Sequence, residues 1–164
     1  LTSLPLWLAG ELFDAATSLF GRGCLLQFED FNSNDAFPLL EAYRHKFLTY
    51  NDDIQGTAAV SLAAILGAIK LRSPGTQDLI RSLRDETFLF HGAGSANLGA
   101  AALLRDEAGV SPTSIYITNS RGVLWVNADG SSGNFRNEEQ KAAATPGPLS
   151  FGGTTDLLAI IHAV

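Results

Sequence analysis

The sequence predicts an α/β fold, a parallel sheet with flanking helices preceded by the end of a second α/β domain, and three observations carry that expectation. Short apolar runs alternate with segments of helical period. Two of those runs end in acidic pairs, Glu29-Asp30 and Asp52-Asp53. A glycine-rich turn, Gly92-Ala93-Gly94, separates another run from a helix of small residues. At 164 residues, 46% of them hydrophobic, the chain can bury the core of one domain, or of one and a half.

Residues 11–20 read as the end of a helix, with Leu12, Phe13, Ala16, Leu19 and Phe20 at helical spacing and Gly21-Arg22-Gly23 as its stop. Residues 24–28 are continuously apolar except for Gln27, which suits a buried strand. Asn34 or Asp35 can cap a helix running to about Lys46. Residues 47–50 form a second short strand. A longer helix is expected over 54–72, apolar around much of its circumference and therefore in the core. Ser73-Pro74-Gly75 ends it, and a linking stretch reaches Arg84. Residues 87–90 are a strand, 95–107 a helix, and 114–118 the next strand, which 122–126 continue past a turn. The segment 127–150 is polar and reads as loop, with one weak helix around 137–144. Residues 156–164 begin another apolar helix or strand.

Composition excludes several classes of function. Eleven basic against 17 acidic residues give a formal charge of −6, the wrong sign for a nucleic-acid backbone binder. A single cysteine, Cys24, rules out an internal disulfide framework and reads as a small buried hydrophobe. No uninterrupted apolar run reaches the roughly 18–20 residues of a membrane span, so no membrane partner is expected. The first ten residues lack the basic start of a signal peptide. Leu1 in first place and the absence of methionine point to a mature product, an excised domain or a piece of something larger.

The strand–turn–helix at 87–107 has the form that holds a dinucleotide. The first glycine, Gly92, allows a tight turn, and the second, Gly94, admits a pyrophosphate to the backbone. The helix N-terminus beyond them offers free N–H groups. The spacing departs from the strict motif, because Asn97 holds the third glycine position and Gly99 comes two residues later. A tight turn with no ligand is the plain alternative. The two acidic pairs would meet at one sheet edge if their strands are parallel and joined by a helix. Carboxylates so gathered call for a cation, and hard oxygen ligands suit Mg²⁺ or Mn²⁺. Spacing alone leaves open that Asp52 or Asp53 merely caps the following helix and that Glu29-Asp30 starts a turn. His91 precedes the glycine turn and could touch a ligand, though a lone histidine there reads first as packing; His45 and His162 lie in helical stretches, and Trp7 and Trp125 show no stacking pattern.

Gln27-Phe28-Glu29-Asp30-Phe31 followed by Tyr50-Asn51-Asp52-Asp53-Ile54-Gln55-Gly56-Thr57-Ala58 closely resembles the malic enzyme family, with the glycine turn downstream in the family's order. The resemblance covers residues 11–164, tight over 25–72. It implies a Rossmann-like NAD(P)-binding domain over 53–164, incomplete at its C-terminus, after the C-terminal part of a malate- and metal-binding domain over 1–52. The implied activity is oxidative decarboxylation of L-malate to pyruvate and CO₂, reducing NAD or NADP with bound Mg²⁺ or Mn²⁺, in a homo-oligomeric parent of undecided compartment. By that resemblance Glu29, Asp30 and Asp53 ligate the metal. Asp52 lies beside the catalytic lysine and Thr57 near the dinucleotide. Gly92, Gly94, Ser95 and Ala96 sit under the pyrophosphate.

The departures carry information of their own. The family's tyrosine, lysine and malate-binding arginine precede the first acidic pair, outside this sequence, and Tyr43, Tyr50, Lys46 and Lys70 do not replace them. The isolated chain is therefore expected to be inactive. A non-catalytic dinucleotide-binding module built on the same core is the alternative. Where the family has a ribose-binding acid, this chain has Asn119, and Arg121 beside it suits a 2′-phosphate, a slight lean to NADP. Asn127 and Asp129 in place of later basic residues reduce that lean. Ser33 and Asp35 replace asparagines common after the first acidic pair.

Overall fold

The computed structural model describes residues 6–151 and 153–164. Helix α1 (Leu6–Phe20) starts earlier than its periodicity indicates. It turns Ala9 and Phe13 inward and leaves Leu12, Leu19 and Phe20 exposed. The Phe13 ring meets Phe28, Tyr43 and Phe47 with centroids 5.1–5.3 Å apart, an aromatic cluster that fastens α1 to the segment 28–47.

Strands β1 (Leu26–Phe28) and β2 (Thr49–Asn51) are parallel, with Phe28 opposite Asn51. Cys24 lies just before β1 and is only half-buried, so the sequence expectation of a core cysteine fails. Between the strands runs α2 (Ser33–Tyr43). Its cap is Asn32, whose side chain accepts from the Asn34 N–H at 3.0 Å, rather than Asn34 or Asp35. The helix stops short of Lys46, and His45 falls in the turn beyond it.

The chain leaves β2 through a π-helical turn (Asp52–Gly56) and continues as α3 (Thr57–Arg72). Neither Asp52 nor Asp53 caps this run. The fully buried Asn51 does, its side-chain oxygen accepting from the Ile54 N–H at 2.9 Å. Helix α3 is not the core helix expected from its composition. Ala58 and Ile69 are buried, but Val60 is 71% and Leu71 84% exposed. Over Asp52–Arg72 the mean hydropathy reaches 1.6, long and apolar enough by length and composition to cross a membrane. In this fold one side of it packs on the helix Ser95–Asp106 and the rest stands open.

After a short α4 (Leu79–Ser82), capped by Asp78, a 3₁₀ turn buries Leu83 completely. Strands β3 (Phe88–His91) and β4 (Ile115–Asn119) pair in parallel across helix α5 (Ser95–Asp106), the expected crossover. Residues 122–126 do not simply extend β4. Strand β5 (Gly122–Val123) folds back antiparallel to it, while β6 (Trp125–Val126) joins a separate sheet between β7 (Ser132–Gly133) and β8 (Thr145–Pro146). Helices α6 (Glu138–Ala142) and α7 (Leu157–Ala163) complete the chain. The main core gathers Ile69, Leu83, Leu98, Leu104, Ile117 and Leu124 between α3, α5 and the β3–β4 pair.

One ion pair ties the end of α3 to the approach of β3: Arg72 grips the Glu86 carboxylate with both terminal nitrogens. That hydrogen bond holds the Glu86 carboxyl below the ordinary carboxylate range. A depressed carboxyl contributes stability above its unfolded pKa and loses it as pH falls through the folded value. Glu86→Gln should therefore flatten the acid side of a melting-temperature profile slightly, the pair being at the surface. An unchanged acid limb would contradict that role.

Candidate metal and dinucleotide site

Parallel pairing of β1 and β2 brings their carboxyl ends, and the acids beyond them, to one edge. Glu29, Asp30 and Asp53 each offer an oxygen within 4.8 Å of the others. Asp30 adopts a left-handed backbone, φ +59°, and donates its own N–H to Asp53 Oδ2 at 3.0 Å, which fixes the relation of the two blocks. Behind them Tyr50 donates to Gln27 Oε1 and Gln27 Nε2 donates to Glu29 Oε2, both at 2.7 Å. Glu29 is thereby held from a neighbouring strand. Three carboxylates gathered without a facing cation among the described residues repel one another, and an all-oxygen donor set fits a hard divalent ion. Asp52, on the π-helical turn, does not join the cluster of three.

The second feature is a crevice of about 620 Å³ at the carboxyl edge of β3 and β4. Gly92 lies on its rim with φ +111°, a conformation closed to ordinary side chains, and lets the chain turn from β3 into α5. Asn97, standing where the strict motif has a glycine, donates from Nδ2 to the carbonyl oxygens of His91 and Gly92 at 3.2 and 2.9 Å and pins that turn. Gly99 serves the close-packing purpose of a third glycine two positions late. A Cβ there would lie 2.2 Å from the Ile54 carbonyl oxygen.

Among the residues expected at a cofactor, Gly92, Gly94 and Asn119 line this crevice. Ser95 and Ala96 open α5 at its edge. Thr57 is exposed at the start of α3, and Arg121 does not line the crevice; its Nη1 approaches the Phe135 carbonyl at 3.4 Å. Asn119 is engaged within the protein: its amide donates to the Asn134 carbonyl and to Gln140 Oε1, and its oxygen accepts from the Arg121 N–H.

Among the lining residues not expected at a cofactor from the sequence are Ser33, Arg136, Asn137 and Gln140. Arg136 reaches Ser120 Oγ across the mouth and is the cation of the crevice that Arg121 was expected to be. Gln140, 6% exposed, donates to the Ala93 carbonyl and accepts from Asn119 and from the Arg136 N–H. It thus joins the glycine turn, the end of β4 and the segment bearing Arg136. The signal was present in Asn137-Glu138-Glu139-Gln140, a helix-start pattern, and Asn137 does cap α6. Ser33 links the two features. Its hydroxyl accepts from the Ser95 N–H at 3.3 Å, while Asn34 Oδ1 accepts from Asn137 at 3.2 Å. The N-terminus of α2, three residues past the first acidic pair, is thereby tied to the crevice.

Residues 54–163 match the family model described as malic enzyme, NAD binding domain. The chain belongs to the malic enzyme family. It is 41% identical over 121 residues to the NADP-dependent malic enzyme of Mus musculus, covering 70% of this chain and 20% of that protein. It is 40% identical over 124 residues to the mitochondrial NADP-dependent malic enzyme of Homo sapiens, covering 71% and 19%. This malic enzyme chain thus spans about a fifth of the length of the curated relatives it matches. The Entamoeba histolytica malic enzyme crystal structure superposes with a TM-score of 0.64 at 24% identity, over 88% of this chain and 29% of that one, a likeness of fold.

Proposed function

We propose that the chain supplies the metal carboxylates and the dinucleotide crevice of an enzyme that oxidatively decarboxylates L-malate to pyruvate and CO₂ while reducing NAD or NADP. The observation that carries this reading is the convergence of Glu29, Asp30 and Asp53 in a chain whose dinucleotide crevice is tied to the same block through Ser33 and Ser95. Glu29, Asp30 and Asp53 would hold Mg²⁺ or Mn²⁺, which supplies positive charge beside an oxygen on which negative charge develops. Asp52, on the adjoining turn, would stand by the group that moves the proton.

Gly92, Gly94, Ser95 and Ala96 would receive the pyrophosphate at the start of α5, with Thr57 approaching from α3. Asn119 positions the mouth for the adenosine ribose instead of charging it, since its amide is spent within the protein. For a 2′-phosphate the reading passes from Arg121 to Arg136 and Ser120, the pair that faces the crevice. Arginine suits a phosphate because its planar fork donates two parallel bonds.

Titration calorimetry on the chain tests this reading with Mn²⁺, NADP and NAD as separate ligands. Mn²⁺ and a dinucleotide should both bind. Arg136→Ala should weaken NADP about tenfold and leave NAD nearly unchanged. Dinucleotide binding without any Mn²⁺ binding would favour a non-catalytic nucleotide module, and equal loss of NAD and NADP would remove Arg136 from the 2′-phosphate.

A further inference from the structure

We propose that Gln27, steadied by Tyr50, holds Glu29 as a one-oxygen ligand and so sets the preference of the metal site for a small divalent cation, Mg²⁺ or Mn²⁺, over Ca²⁺. This rests on the metal reading of Glu29, Asp30 and Asp53 and adds to it two residues outside that cluster. The parallel register places Gln27 opposite Tyr50 and Phe28 opposite Asn51. Alternation along the strands then sorts the side chains by face. Phe28 and Asn51 are buried, whereas Gln27, and Glu29 two residues on, are exposed. Tyr50, half-buried, shares the outer face with them.

The hydrogen bonds of this row have a single polarity. An ionised carboxylate only accepts, so the Gln27 amide must turn its nitrogen to Glu29, and Nε2 lies 2.7 Å from Oε2. That leaves the amide oxygen for a donor, and the Tyr50 hydroxyl donates to it at 2.7 Å. An amide tied at both ends cannot turn away from Glu29 without losing two bonds. A lone hydrogen bond between exposed side chains contributes little. Here the far end is a stiff tyrosine on the neighbouring strand, which costs little entropy to hold in place.

Two of the three carboxylates are thus engaged by the protein through one named oxygen each. Glu29 Oε2 accepts from Gln27, and Asp53 Oδ2 accepts from the Asp30 N–H at 3.0 Å. Among the described residues no donor is bonded to Glu29 Oε1 or Asp53 Oδ1. A carboxylate that grips an ion with both oxygens must turn both toward it, and these bonds oppose that turn. A set of single oxygens completed by water suits Mg²⁺, and Mn²⁺ with it, because a small ion demands a near-octahedral shell and keeps several waters. Ca²⁺ is larger, takes about 6–8 oxygens and commonly draws a carboxylate in through both of them. Removing the Gln27 amide would free Glu29 to swing its second oxygen inward, which favours the larger ion.

The test is the ratio of Mn²⁺ to Ca²⁺ affinity, read by titration calorimetry with each ion alone. Wild-type chain should prefer Mn²⁺. Gln27→Leu, which replaces the amide by hydrocarbon, should narrow the ratio about tenfold, the lower end of what an outer partner of a metal ligand is worth. Tyr50→Phe removes the hydroxyl alone and should narrow it about threefold, since the amide still reaches Glu29 but is no longer tied at its oxygen. A merely structural role would weaken both ions alike and leave the ratio where it was. Circular dichroism confirms that each variant is folded. An unchanged ratio in Gln27→Leu, or a wild type that binds the two ions equally, overturns the proposal and leaves the metal reading in place. Should Gln27→Leu not fold, an unchanged ratio in Tyr50→Phe overturns it instead. Failure of the wild type to bind either ion overturns the metal reading itself, and this one with it.

Discussion

Gly99→Ala should destabilise the chain by about 3 kcal/mol, at the upper end of what an added methyl costs in a packed interior. The Cβ would meet the Ile54 carbonyl oxygen at 2.2 Å, the carbonyl carbon at 3.0 Å and Cα at 3.2 Å. All three are backbone atoms, so no side chain can swing aside. The Ile54 segment cannot retreat either, because Asn51 caps it and it continues directly into α3. Separating α5 from the π-helical turn would open the contact that joins this helix to the turn bearing Asp53. Thermal melting checks this with Gly67→Ala as the reference. Gly67 also lies within a helix, but a Cβ there meets nothing within 4 Å. That substitution should raise the melting temperature modestly, since alanine is the better helix former by about 1 kcal/mol. Equal melting of both variants would mean that α5 and the turn are not in such close contact.

Asp53→Ala should reduce Mn²⁺ affinity at least about 100-fold, more than the loss typical of an outer-shell partner. Two effects combine. One of the three carboxylates proposed to ligate the metal disappears, and the Asp30 N–H loses the acceptor that helps keep Asp30 left-handed. Dinucleotide affinity should stay within about twofold, because no residue lining the crevice bonds to Asp53. Calorimetric titration with each ligand distinguishes the cases. Retained Mn²⁺ affinity would dissociate the three-carboxylate cluster from any metal.

Much of this architecture is legible in the residues, for physical reasons that differ by element. The acidic pairs follow short strands, and parallel pairing with a helical crossover brings Glu29, Asp30 and Asp53 together, though not Asp52. The strand–turn–helix at 88–106 is likewise local, carried by Gly92 and by the small residues of α5. What composition cannot supply is the neighbour. Helix α3 has the hydropathy of a buried helix, but burial depends on what stands against it, and here Val60 and Leu71 face outward. Asn51 outcompetes two aspartates as a cap because its position at the end of β2 points its side chain at the Ile54 N–H. Arg136 and Gln140 lie in a polar segment with no period, and only the return of the chain past β4 brings them to the crevice. Sequence proximity to Asn119 favoured Arg121, yet a two-residue turn sends that side chain along the outside.

Gln140 gives the crevice a mechanical character. Its one amide joins the Ala93 carbonyl, the Asn119 side chain and the Arg136 backbone, so three segments remote in sequence share a single fastening. None of them can swing outward alone without stripping a bond from a nearly buried group. A ligand entering the crevice would therefore meet a mouth of fixed aperture. On the proposed function, a glutamine behind the site would thus hold the aperture through which the cofactor passes.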